Sequence, residues 1–171
     1  KNVLDRLIMS KLNQLISETT NLLEDYNITG AARRVEEFII NTLSLWYIRR
    51  SRRRFQDPES EEQLQAVSKV LGYVLIALSK ITAPFIPFLS EEIYQKIKEK
   101  SKDQEEMSQS VHLDDWPASR KDLIDEDLNK KMEEVRSLVT AALAERAKAG
   151  IKVRQPLPRL QIQEKDLQKE K

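Results

Sequence analysis

The 171-residue chain has no cysteine, one histidine, three glycines and six prolines. Without cysteine it forms neither a disulfide framework nor a thiolate metal site. The lone His112 cannot build a multi-histidine metal centre, and no serine has the partners of a catalytic nucleophile. The glycines lie too far apart for a phosphate-binding loop. We therefore predict no catalytic, cofactor-binding or metal-binding residue in this chain.

Long apolar runs are also scarce, and none approaches the roughly eighteen residues of a membrane span, so we expect no membrane partner. The lack of cysteine fits a reducing compartment, and we expect a cytoplasmic protein. The chain begins at Lys1 without a starting methionine or an apolar leader, which favours a piece of a larger protein. A hydrophobic content of 40% is enough for a core.

Apolar residues recur at steps of three and four, which predicts amphipathic helices over about 3–25, 30–54, 58–82 and 125–149. Another helix is predicted between the third and the last of these, and it ends at about residue 100. Thr29 and Asp57 are the expected N-caps of the second and third helices, and Gly150 is the expected C′ residue of the last. Alternating residues at 151–155 predict a short strand, with a second at 160–162. The predicted fold is mainly all-α, a helical bundle at 1–118 followed by a smaller helix-and-strand unit at 119–171.

The most unusual feature present is a cluster of five arginines within Arg49–Arg54. Although the net charge of the chain is only +1, seven arginines stand against two glutamates between residues 33 and 54. Arginine presents a rigid fork of donors that matches phosphate oxygens and stacks on bases. The cluster therefore predicts an RNA contact, with a salt-bridged helix end as the alternative.

Placing residues at 100° each, with Trp46 in the core, puts Arg34 and Arg52 on the outward face of the second helix. The arginines nearer the core line are left open between RNA contact and ion pairs with neighbouring helices. Tyr47, one position round from Trp46, is the better candidate for stacking on a base. The candidate RNA-binding residues are Arg34, Tyr47, Arg49, Arg52, Arg53 and Arg54, with Lys152 and Arg154 in a second basic segment.

Several strings occur together in an order that resembles one family. They are LDRLIMSKLNQLI, LSLWYIRRSRRRF, ITAPFIPFLSEEIYQ, VHLDDWP and AERAKAGIKVRQPLPRL. Their order and spacing resemble the region after the catalytic core of class I aminoacyl-tRNA synthetases, and the resemblance is closest to the isoleucyl enzymes. It covers nearly the whole chain, although Leu7 stands where a tryptophan is usual.

The resemblance implies an antiparallel helical bundle of the anticodon-binding type, followed by the start of an α/β junction. It implies an isoleucine-type tRNA as partner, together with the catalytic core and C-terminal parts of the same polypeptide, and a parent enzyme that uses ATP elsewhere. The HIGH and KMSKS signatures are absent, and IMSK at 8–11 lies inside an amphipathic helix. The alternatives are a scaffold module with structural arginines and the same domain of a valyl, leucyl or methionyl enzyme.

Overall fold

A computed structural model describes residues 2–101, 105, 107–159 and 161. It contains two compact units, Lys1–Asp125 and Glu126–Lys171. The described residues form helices and turns without a strand, which confirms the mainly all-α prediction. The predicted domain boundary after residue 118 stays a prediction.

The first unit contains most of the helices, and one of them changes from α-helical to π-helical hydrogen bonding and back along its length. A continuous helix runs through α2, an 11-residue π-helical stretch (the π-segment) and α3. Short 3₁₀ turns follow the last long helix of this unit. The elements are α1 (Val3–Glu24), α2 (Ile28–Glu37), the π-segment (Phe38–Ile48), α3 (Arg49–Gln56), α4 (Glu61–Thr82), α5 (Pro87–Lys98), and the turns Val111–Leu113 and Lys121–Leu123.

Side-chain caps set the starts of α2 and α4. The Asn27 side chain accepts a hydrogen bond from the Gly30 N–H at 2.9 Å, so Asn27 rather than Thr29 caps α2. Ser60 accepts from the Gln63 N–H and caps α4, which begins later than the predicted Asp57 cap allows. Both predicted caps are wrong, because an asparagine and a serine nearby satisfy the free N–H groups of the first turn instead.

The core of the first unit is an apolar cluster supplied by α1, α2, the π-segment and α4. In α4, Val67, Val74 and Ile81 are fully buried. This helix is long and apolar enough to cross a membrane by length and composition alone, and its buried stripe is that of a core helix. The core residues are Ile8, Leu12, Leu15, Ile16, Val35, Phe38, Leu43, Tyr47, Val67, Val74, Ala77, Leu78 and Ile81.

The segment before Asp125 is fastened to α1 by buried polar side chains. Asn13, which is fully buried, accepts from the Arg120 N–H through its Oδ1 at 2.8 Å. The Ser119 hydroxyl donates to the Asn13 carbonyl, and the Ser10 hydroxyl accepts from the Asp125 N–H, both at 2.8 Å. The first unit therefore extends beyond the short apolar segment that returns to it at Val111.

The described part of the second unit contains α6 (Glu126–Lys148) and the turn that follows it. Gly150 has a φ of 67°, which confirms its predicted role after the helix end. The predicted strand at 151–155 is wrong, because the Arg146 guanidinium binds the carbonyls of Lys152, Val153 and Gln155 and holds a turn. Apart from Gln161, the predicted strand at 160–162 lies outside the described residues.

Candidate nucleic-acid interface

The π-segment decides which side chains of the arginine helix face the core. A π-helix is bonded from i to i+5, so each residue turns the chain through less than the 100° of an α-helix. Its buried residues are Phe38, Leu43 and Tyr47, at steps of five and four. Tyr47 is 1% exposed, whereas Trp46 is only half-buried. The assignment of Trp46 to the core and Tyr47 to the surface is therefore wrong, because it assumed an uninterrupted α-helix.

Tyr47 and Arg54 meet Asp5 in a partly buried polar cluster. The Arg54 guanidinium donates to both Asp5 carboxylate oxygens at 2.7 Å, and the Tyr47 hydroxyl donates to Asp5 Oδ1 at 2.9 Å. The Asp5 and Arg54 side chains are each 14% exposed. Burial, with the hydrogen bond to Asp5, raises the pKa of Tyr47 far above its usual range, so its proton stays in place.

This cluster ties the start of α1 to the end of α3. The hydrogen bond from Arg54 to Asp5 also raises the pKa of the guanidinium. Tyr47 and Arg54, two of the residues predicted to contact RNA, are thus engaged inside the protein. The Tyr47 ring is not presented for stacking, and Arg54 has the structural ion pair of the alternative hypothesis. A paired, largely buried arginine of this kind is a poor candidate for a phosphate contact.

Arg34 is half-exposed and lies between two carboxylates. Its Nε is 3.4 Å from Glu18 Oε2, and its Nη1 is 3.0 Å from Glu37 Oε2. Exposed pairs of this kind contribute about 0–1 kcal/mol, so they constrain the side chain only weakly. Arg34 is available to a ligand only in competition with those carboxylates, and its RNA contact stays a prediction.

The remaining arginines of the cluster form an exposed surface, which we call the arginine patch: Arg49, Arg50, Arg52 and Arg53. Arg52 donates from Nε to Gln56 Oε1 at 3.0 Å, which leaves its charge uncompensated. Within the described part of the chain, no carboxylate forms an ion pair with any member of the patch. The patch therefore presents four positive charges with no counter-charge from the described residues in direct contact.

Arg50 was absent from the residues predicted from sequence. Its guanidinium carbon lies 4.0 Å from the centroid of the Trp46 ring, a cation–π contact. Exposed contacts of this type contribute about 0.5–1 kcal/mol. The signal that could have found it is the four-residue spacing of Trp46 and Arg50, which places side chains together on a helix.

Lys152 and Arg154, in the second unit, are both exposed in the turn after α6. The Arg146 guanidinium fixes the backbone of this turn through its carbonyls, at 2.6 Å for Lys152. The turn thus presents two positively charged side chains on a backbone that is fixed by hydrogen bonds from Arg146. Their contact with RNA stays a prediction.

A shallow cleft of about 300 Å³ lies in the first unit beside His112 and Trp116. Lys80 and Asp114 line it and form an ion pair at 2.9 Å. The Tyr94 hydroxyl also donates to Asp114, at 2.8 Å. Lys80 and Asp114 are therefore paired with each other, which is a structural arrangement. In the residues that the structure describes, no three His, Cys, Asp or Glu side chains converge to hold a metal ion.

The helical fold and its basic surface agree with sequence comparison. The family described as "Anticodon-binding domain of tRNA ligase" matches residues 5–163. The chain belongs to this family of anticodon-binding domains.

The individual relatives are isoleucine–tRNA ligases. The chain is 42% identical to that of Dehalococcoides mccartyi strain CBDB1 and 38% identical to that of Thermus thermophilus, over 93% of its length in both cases. It is 39% identical to the enzyme of Thermococcus kodakarensis over 95% of its length. The chain covers 15% of each of these relatives.

Proposed function

We propose that this chain is the tRNA-binding module of an isoleucine–tRNA ligase. In this proposal it holds the anticodon stem and loop of an isoleucine tRNA so that the acceptor end reaches an active site elsewhere in the parent enzyme. Correct positioning raises the probability of reaction without a catalytic group in the module. Membership of the anticodon-binding family and the names of the relatives support this function.

The proposal assigns ATP and the amino acid to other parts of the parent polypeptide, which would also be the partners of this chain. It places the work of the chain in the cytoplasm, with RNA rather than a membrane as its ligand. An isoleucine tRNA is preferred over a valine, leucine or methionine tRNA because the relatives reported above are isoleucine enzymes.

The observation that carries the proposal is the arginine patch. Four exposed arginines within five positions, without an ion-paired carboxylate among the described residues, create a locally positive surface. Such a surface binds RNA phosphates and releases their counterions, so affinity falls as salt rises. The scaffold alternative requires these arginines to form ion pairs inside the protein, and among the described residues Arg54 is the one member of the cluster that has such a pair.

The test is a salt series of tRNA binding by fluorescence anisotropy. The double variant Arg49→Ala plus Arg53→Ala removes two unpaired charges of the patch. We expect the log–log salt slope for an isoleucine tRNA transcript to fall by roughly 1.4 to 1.8 units, because each lost phosphate contact accounts for roughly 0.7 to 0.9. The matched control, Lys100→Ala plus Lys121→Ala, removes two exposed charges from other elements and should leave the slope unchanged.

The same assay with a valine tRNA examines specificity. A preference for the isoleucine tRNA would support anticodon readout within this chain. Equal affinity would mean that the patch contacts only the RNA backbone, because phosphate contacts position a ligand and base contacts specify it. An unchanged salt slope in the arginine variant would refute the assignment of RNA binding to the patch.

A further inference from the structure

The contact between Trp46 and Arg50 distinguishes one arginine of the patch from the others. The guanidinium of Arg50 lies over the indole at 4.0 Å from the ring centroid. Trp46 is half-buried in the π-segment, whereas Arg50 is exposed. One side of the guanidinium therefore lies against the half-buried indole ring.

We propose that Arg50, backed by Trp46, is a stacking platform for one unpaired nucleobase of the bound RNA. This inference rests on the proposed function and adds a base-binding residue to a surface otherwise assigned to phosphates. Bases splayed from single-stranded loops stack on aromatic rings and on the guanidinium plane of arginine. A base on the outer face of Arg50 would extend a stack that already contains the indole.

In the part of the chain that the structure describes, no aromatic ring lies against the guanidinium of a neighbouring arginine. Among the described residues, Arg49 and Arg53 have no side-chain partner that fixes their planes. Arg52 donates from its Nε to Gln56, and Arg54 donates to Asp5. A side chain that is already ordered loses less conformational freedom on binding, so the fixed plane of Arg50 is the favoured platform.

Charge also favours a base at this position. No carboxylate of the described residues pairs with Arg50, so a ligand has no ion pair to displace. Stacking uses the broad face of the guanidinium, and the donors along its edges stay available to a phosphate of the same strand. One side chain can thus combine base stacking with a backbone contact.

The test uses the 171-residue chain and an RNA hairpin with the sequence of an isoleucine anticodon stem-loop. Loop nucleotides are replaced one at a time by abasic sites, and dissociation constants are measured for each hairpin. With the wild-type chain we expect one abasic position to weaken binding roughly five- to hundredfold, the range that loss of one base stack produces.

Arg50→Lys keeps the charge and removes the plane. We expect it to weaken binding of the intact hairpin by the same factor, to lose sensitivity to that abasic position, and to retain the salt slope. Arg53→Lys is the matched control and should keep the abasic sensitivity of the wild type. Trp46→Leu, which removes the backing ring, should reduce that sensitivity as well, with thermal melting used to show that the variant is folded.

Three results would overturn the inference, and they are distinguishable. If the wild type binds with a steep salt slope but Arg50→Lys retains full abasic sensitivity, the base stacks elsewhere and the proposed function stands. The same holds if no abasic site matters to the wild type. If the wild type does not bind the hairpin even at low salt, the proposed function and the platform both fail.

Discussion

Replacing Asp5 with alanine should destabilise the first unit more than an alanine substitution at any exposed position of α1. The Asp5 carboxylate accepts two hydrogen bonds from Arg54 and one from Tyr47, at distances of 2.7 to 2.9 Å. The variant leaves a guanidinium and a phenol without their acceptor in a region where both paired side chains are only 14% exposed. The perturbation thus acts on the connection between α1 and the arginine helix.

The expected magnitude follows from the burial of the pair. Removing one partner of a buried ion pair costs about 3–5 kcal/mol. The residual exposure of Asp5 and Arg54 places this pair near the lower limit, about 3 kcal/mol. The Tyr47 hydroxyl, which loses its acceptor, adds about 1 kcal/mol. The sum of about 4 kcal/mol is a large part of the 5–15 kcal/mol that stabilises a typical domain.

Urea denaturation followed by tryptophan fluorescence is a suitable assay, because Trp46 and Trp116 both lie in the first unit. The control is Asp25→Ala at the exposed far end of α1, which should change the free energy of unfolding by less than about 0.5 kcal/mol. A loss below about 1 kcal/mol for Asp5→Ala would refute the reasoning, since it would class the cluster with solvent-exposed pairs.

Two further changes probe polar contacts elsewhere in the first unit. Burial opposes ionisation of Asp114, but hydrogen bonds from Lys80 and Tyr94 outweigh it and lower the pKa of the carboxyl. The stabilisation that the ionised carboxylate contributes is therefore present above its unfolded-state pKa near 3.9. It is lost as the pH falls through the folded-state pKa. Asp114→Asn should therefore lose less stability than the wild type between about pH 5 and pH 2, measured by urea midpoints; parallel losses would contradict this. Asn13→Ala should cost about 1–3 kcal/mol and speed hydrogen exchange at the Arg120 amide, and an unchanged exchange rate would show that Asn13 does not hold that segment.

Much of the fold could be predicted because apolar periodicity survives in the long helices. The stripe of α1, with Ile8, Leu12 and Leu15 in the core, follows regular helical spacing. Helix starts were less predictable, because neighbouring polar residues compete for the same N–H groups. Asn27 and Thr29 are both good caps by residue type, and only the local backbone decides between them.

The interface could be predicted only in part, for two physical reasons. A helical wheel assumes a constant rotation per residue, and the π-segment changes that rotation before the arginines begin. The partner of Arg54 is Asp5, 49 positions away, and no local pattern reveals that pair. Residue type and clustering were sufficient to predict the basic surface, but the exposure of each arginine depends on tertiary structure.

The π-segment also has a consequence for insertions and deletions. Each residue of the π-segment turns the chain by somewhat less than the 100° of an α-helix, so deleting a single residue between Phe38 and Tyr47 would turn the whole of α3 relative to α2. Every member of the arginine patch would move together, and the Tyr47 hydroxyl would no longer face Asp5. Such a deletion would redirect the basic surface without removing a charge, so the length of this segment constrains the interface as strongly as its composition does.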